Sequence, residues 1–460
     1  MPTFRLPRHA TGAALGSLLV VLGCGGGPAP AGGVTPSTEQ TLAELFNLAS
    51  VYQRIGRIAA AGPMPFVGSV GYAAGRGDST IARVGVSFDN HAFAFQREPN
   101  SFSTRFRLEY AFVPTGAGAD PIRATRDEVV RVQSFQETQR ADESVIVEQG
   151  FLLAPGTYTL TITARDPSAT VFSRAEQRID VPAFGAGSTT PPMLVYMAGA
   201  RAEVTDSLRV LLNPRGTVAS GASDTLLMYV EGYRFPGPTQ VPVEVRDERD
   251  SVVYRAEIGF AGGRNVEGKI VRFYSDAPPL GELHITVGGG ASPTHRTTAL
   301  VSFSRNWVVT SYDNLLSLLR YFPWQSHMLG GLRDAQPSER SERWREFWVA
   351  TDPVPETPEN EALDRYFTRI AIANERFRDE GGPGWRTDRG EVYVTLGDPD
   401  QVYESSPASD RRIIQWLYNT YRVVLTFEGT LGFSRLRLTP SSRGEFNKAK
   451  SQAIRDGPPR

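Results

Sequence analysis

The residues with most chemical potential cluster late in the chain, in GWRTDRGEVYVTLGDPD, residues 384–400. Asp388 and Glu391 are two carboxylates close in sequence, and glycoside hydrolysis uses two carboxylates flanking the scissile bond. Asp388, Asp398 and Asp400 offer the oxygens that a hard cation such as calcium coordinates. Trp385, with Trp416 and Tyr418 further on, supplies flat apolar faces that can pack on a sugar or a peptide. Each reading has a plainer competitor. Asp beside Gly or Pro is ordinary turn chemistry, because its side chain bonds backbone amides ahead of it. Gly390 permits positive φ. The spacing of an EF-hand loop is absent, and adjacency in sequence is not the geometry of an acid–base pair. Aromatic residues near strand ends are more often core than ligand platform. The segment therefore yields no catalytic residue, no metal site and no cofactor.

The rest of the chain adds little chemistry. His91, His284, His295 and His327 are widely separated, and no His-Glu-x-x-His pair, phosphate loop or dinucleotide fingerprint is present. No Gly-x-Ser-x-Gly elbow occurs. Lys and Arg number 49 against 50 Asp and Glu, for a net charge of −1. That balance argues against a nucleic-acid partner, which calls for a basic excess or stripe.

The only cysteine is Cys24. Without a second one there is no disulfide. Arg5, Arg8 and His9 precede the apolar run AALGSLLVVL, a basic segment followed by a short apolar one, as in a secretory signal. The run is shorter than the roughly 20 residues a spanning helix needs. It ends in Val21-Leu22-Gly23-Cys24, which resembles the lipobox of bacterial lipoproteins. The resemblance implies a signal peptide over residues 1–23 and a lipid anchor on Cys24, with the membrane as first partner. Residues 24–36, rich in Gly and Pro, read as a flexible tether. Gly25, in place of Asp, points by resemblance to enterobacterial sorting to the outer membrane, with the body facing the periplasm.

The elements that would position these residues follow from periodicity. Apolar residues Leu42, Leu45, Phe46, Ala49, Tyr52, Ile55 and Ala59 recur at helical spacing, predicting a helix over 37–62. Over 63–183 the period becomes two, as in Tyr158, Leu160 and Ile162 against Thr159, Thr161 and Thr163. Short runs between turn residues predict an immunoglobulin-like antiparallel β-sandwich, with Pro155–Ile162 as a late edge and Pro155-Gly156 as its turn. Phe184–Pro192 reads as a linker. Seven further runs over 193–304 predict a second sandwich. From 310 to 440 the pattern turns α+β. A helix led by Thr357 as cap presents Leu363, Tyr366, Phe367, Ile370, Ala373 and Phe377 on one stripe. Val392, Val394 and Leu396 alternate with Tyr393 and Thr395, predicting a strand that opens an antiparallel meander. Residues 441–460 read as a polar tail. The fold class is thus multidomain, mainly β plus α+β.

At residues 384–400 the chain resembles the bacterial GWxTD domain family. Gly384, Trp385, Thr387 and Asp388 match its core, and Arg389, Gly390, Gly397, Pro399 and Asp400 extend the match. The resemblance implies a cell-envelope protein and brings no catalytic residues. The expectation is a non-enzymatic, lipid-anchored scaffold that binds an envelope protein. The alternative is a sugar- or peptide-binding protein or hydrolase with its site near Trp385–Asp400.

Overall fold

The computed structural model describes residues 48–116, 120–140, 143–219, 225–273, 280–289, 292–302, 307, 311–322, 326–336, 339–357, 360–377, 383–405, 411–430 and 433–456. Cys24, the tether and the first part of the 37–62 segment lie outside them.

The chain is mostly antiparallel sheet, followed by an α+β region. One sheet orders the strands Ile58–Ala60, Phe66–Ala74, Thr80–Asp89 and Glu143–Leu153. A second orders Gln96–Arg97, Phe102–Pro114, Gly156–Arg165 and Phe172–Val181, with Ile122–Val132 also paired to Phe102–Pro114. Alternation explains the pairing. Phe106, Leu108, Tyr110 and Phe112 point inward while Arg105 and Arg107 stay in solvent. These four meet Ala82, Val84, Val86 and Phe88 of the first sheet in one core. Gly156–Arg165 lies inside its sheet, between two neighbours, and not at the predicted edge. The hydroxyl of Tyr158 donates to the Ala154 carbonyl at 2.9 Å, in the manner of a tyrosine corner.

The next two sheets form a second sandwich. In one, Leu226–Tyr233 is flanked by Val266–Phe273 on one side and by Ser188–Thr189 and Met193–Gly199 on the other, with Arg209–Leu212 beyond. The other orders Thr217–Ala219, Ser292–Ser302, Gly281–Gly289, Thr239–Arg246 and Val252–Phe260. Met228 and Val230 point into the core between them, with Val241, Val243, Ile285 and Val287.

The two sandwiches are not beads on a string. Ala73 packs with Met193, Val195, Leu212 and Tyr229, so the sheet containing Phe66–Asp89 is covered on both faces. Close approach depends on a missing side chain. A Cβ on Gly71 would stand 2.6 Å from the Met193 sulfur. The segment Phe184–Pro192, expected as a linker, belongs to this contact. Phe184 packs on Tyr233 with ring centroids 5.1 Å apart, and the Thr190 N–H donates to the Glu231 carbonyl at 2.9 Å. A buried polar network seals the same junction. Arg201 donates two hydrogen bonds to the Glu231 carboxylate, at 2.8 and 2.9 Å, and a third to the Ala74 carbonyl at 2.7 Å. Tyr229 and Tyr233 donate to the same carboxylate, at 2.8 and 2.6 Å.

The N-terminal helix is shorter than predicted where it is described. It covers Leu48–Arg54 and ends at Gly56, whose φ of +84° breaks the spiral. Ile58–Ala60 pairs with Phe66–Gly68 as a strand. The apolar spacing continued through Ile55 and Ala59 because both elements feed one small core with Tyr52, Val67 and Leu300.

In the C-terminal region, helices Tyr312–Leu318, Ser326–Asp334, Arg340–Thr351 and Glu361–Arg376 share one hydrophobic core with the inner face of the sheet Gln401–Ser405, Arg411–Tyr418, Val423–Thr430, Phe433–Leu438. Asn360, not Thr357, caps the long helix. Its Oδ1 accepts the Leu363 N–H at 3.0 Å, and its Nδ2 donates to the Trp348 carbonyl at 2.9 Å. The predicted polar tail is instead a helix over Pro440–Asp456. Phe446, Ala449 and Ala453 place its apolar stripe in the core.

Candidate functional site

The signature segment Gly384–Asp400 lies at the centre of the C-terminal core. Its predicted strand is a helix over Asp388–Leu396. Val392, Tyr393, Val394, Thr395 and Leu396 are all buried. A helix surrounded on every side shows no polar face, so its 3.6-residue period is invisible in the sequence. The local punctuation does mark a helix. Thr387 is the N-cap, its hydroxyl accepting the Gly390 N–H at 3.0 Å and donating to the Gly384 carbonyl at 2.8 Å. Asp388 and Glu391 sit in the first turn, where acidic groups favour the helix dipole. Gly397, at φ +88°, ends the helix, and its N–H donates to the Tyr393 carbonyl at 2.8 Å. The meander's first strand is therefore Gln401–Ser405.

Most motif residues have structural partners, although the buried Trp385 indole N–H has no hydrogen-bond partner. Trp385 is fully buried, edge-on to Tyr321 with ring centroids 5.7 Å apart. Gly390 lies so near the preceding turn that a Cβ would stand 2.1 Å from the Gly384 carbonyl oxygen. Gly384 is similarly pressed against the end of the helix Glu361–Arg376, and its N–H donates to Asn374 Oδ1 at 3.0 Å. Arg389 is buried with its guanidinium 4.8 Å over the Phe377 ring. Pro399 lies in the bend between the helix and strand Gln401–Ser405.

Asp388 and Glu391 converge, but on a cation that engages both, the Arg443 guanidinium, while Asp398 and Asp400 have other partners. Asp388 Oδ2 accepts the Leu438 N–H at 2.7 Å, and Oδ1 pairs with Arg443 Nη2 at 2.7 Å. Arg443 Nη1 holds Glu391 at 2.7 Å. Asp398 bonds Arg376 at 3.0 Å and accepts from the Tyr393 hydroxyl at 3.2 Å. Asp400 accepts the Asn419 N–H at 2.7 Å, tying the bend to the next hairpin. Among the described residues, no group of three or more His, Cys, Asp or Glu side chains could hold a metal.

The proposed aromatic platform is core as well. Trp416 packs on Phe427 and Phe377, with centroids at 4.8 and 5.7 Å. Tyr418 donates to the Gly397 carbonyl at 2.9 Å, and burial pushes its own pKa far up. Neither ring offers an open face, because the helices cover that side of the sheet.

What this region does expose is the sheet's other face. By register Gln401, Leu417 and Val424 stand side by side there, with Tyr403, Gln415 and Thr426 as the next row. Tyr403 and Val424 are 55% and 48% exposed, and Ile413 and Leu417 are half-buried beside them. Gln401–Ser405 is the edge strand, exposed at every position. Sequence reasoning missed this surface, although its alternation of Tyr403, Leu417 and Val424 with core residues was available.

Comparison with known proteins gives one family. The profile described as the GWxTD domain matches residues 291–434. No curated protein matches the chain. Solved structures similar to it include one titled "Crystal structure of calcium binding domain CBD12 of CALX1.1", at 14% identity over 58% of this chain and 87% of that one, with a TM-score of 0.13.

Proposed function

Taking as premise that the chain carries a GWxTD domain, we propose that it is an envelope protein anchored by lipid at Cys24, whose folded body binds another protein and catalyses no reaction. One observation carries the reading. Every signature side chain from Trp385 to Asp400 that could do chemistry is buried or held by a partner within the domain. The signature then specifies a fold, and the surface left for function is the outer face and edge of the C-terminal sheet. An exposed edge strand offers unpaired backbone groups for strand addition, and the Tyr403, Leu417 and Val424 side chains beside it offer specificity. The sandwich stack acts as the spacer between anchor and binding face. The outer membrane is the expected location.

A photo-cross-linking residue at Tyr403 tests the binding face in intact cells. The reading expects one saturable adduct, lost when Val424→Asp is added while the fold stays intact. An unselective smear unchanged by Val424→Asp defeats it. The anchor is tested by Cys24→Ser, which should move the protein from the membrane to the soluble fraction.

A further inference from the structure

A cleft of about 210 Å³ opens where the two sandwiches meet, far in sequence from the GWxTD segment. Its wall includes Arg57, which is 9% exposed. Arg57 Nη2 donates to the Thr298 carbonyl at 2.7 Å, while its Nε has no hydrogen-bond partner. No carboxylate pairs with it among the described residues. Burial lowers its pKa to about 10, so it remains a cation at neutral pH. A buried, incompletely bonded charge is costly unless something pairs with it. Arg296 stands at the rim, exposed and also without an ion pair among the described residues.

The cleft has a second feature. Strand Ile58–Ala60 pairs with Phe66–Ala74 only as far as Gly68. Beyond that point the edge is open. Ala74 shows which way the backbone faces there, because its N–H donates to the Tyr233 hydroxyl and not to a strand carbonyl, and its carbonyl accepts the Arg201 bond. Strand alternation gives Val70 and Tyr72 the same orientation, and both line the cleft. Their backbone groups on this side have no ladder partner. Met193 and Leu212 form an apolar floor under Gly71. Burial, with the charge of Asp180, raises the Tyr72 hydroxyl pKa. Asp180 is already engaged, accepting from the Thr157 hydroxyl at 2.6 Å.

We infer that this cleft binds a small organic anion, its carboxylate or phosphate held by Arg57 and Arg296 and its remaining polar atoms bonded to the open strand edge at Val70 and Tyr72. The volume sets the size. It falls below the roughly 300 Å³ at which drug-sized pockets begin, which suits a ligand of dipeptide size or smaller. The inference does not depend on the protein-binding reading of the C-terminal sheet.

The test is calorimetric titration of the full-length protein with inorganic phosphate and, separately, with N-acetylglycine. Saturable binding of either probe is expected, and the tighter probe identifies the head group. Arg57→Gln, which keeps an amide able to bond Thr298, and Arg296→Gln should each weaken binding about tenfold, the usual effect of losing one charge-assisted hydrogen bond. The exposed Arg296 variant covers the case in which Arg57→Gln does not fold. Hydrogen exchange of residues 66–74 should slow when the probe is added. Failure of both probes to bind, binding insensitive to both substitutions, or unchanged exchange over 66–74 overturns the proposal.

Discussion

Asp388 separates a folding role for the signature from a chemical one. Replacing it with Ala leaves the Leu438 N–H without its acceptor, in a residue that is 7% exposed. An unpaired buried amide costs about 1–3 kcal/mol. The pair with Arg443 is partly open to water, with side-chain exposures of 35% and 28%, so its loss adds at most about 1 kcal/mol. Loss of a negative charge from the first helical turn adds about 0.3–1 kcal/mol. The sum for Asp388→Ala is about 3 kcal/mol. Asp388→Asn keeps a neutral acceptor for Leu438 and loses only the charge terms, so it should cost about 1 kcal/mol. All six tryptophans follow residue 306, so urea unfolding read by tryptophan fluorescence reports on this region specifically. A double-mutant cycle with Arg443→Met should return a coupling below about 1 kcal/mol. Equal costs for the Ala and Asn variants, or no cost for either, refute the assignment of Asp388 to the fold.

Three further outcomes follow from the geometry. Gly390→Ala should prevent the C-terminal region from reaching its native fluorescence, because the added Cβ meets the Gly384 carbonyl oxygen at 2.1 Å. Arg201→Met leaves the Glu231 carboxylate buried without its cation and should destabilise the sandwich pair by about 3–5 kcal/mol, measured by calorimetry. Burial, with the nearby Asp313 charge, raises the Glu248 carboxyl to about 7 from 4.5. The folded state then holds a proton that the unfolded chain releases, so this group's contribution to stability falls as pH rises from about 4.5 to about 7. Glu248→Gln should flatten that part of the pH–stability curve, and an unchanged slope counts against the assignment.

The sequence was most informative where an element has one wet face. Tyr158, Leu160 and Ile162 alternate with threonines because one side of their strand meets solvent. The stripe from Leu363 to Ala373 is visible for the same reason. Elements covered on all sides hid their period. Val392 to Leu396 read as a strand because β-branched residues alternate there, although Thr387 and Gly397 carried the start and stop signals of a helix. Phe184–Pro192 read as a linker from its glycines and prolines, yet Thr190 lies in the polar junction. Gly71 and Gly85, which the sequence reading passed over, stand where the neighbouring sheet approaches. Phe446, Ala449 and Ala453 recur at helical spacing, but the charged residues around them made the segment read as a polar tail. Of the site, the family signature was legible as a pattern. Its role was not, because partners such as Leu438 and Arg443 are about fifty residues away.

The doubly covered sheet also sets an order of assembly. Residues 66–89 leave the ribosome well before Met193 and Leu212, which cover their second face. During that interval the face carrying Ala73, Ile81 and the two glycines is uncovered, and Arg83 beside them has not yet met the Leu208 carbonyl. Exposed sheet of this kind is where partly made chains associate. The junction is complete only once residue 233 has arrived, its hydroxyl joining Ala74 to Glu231.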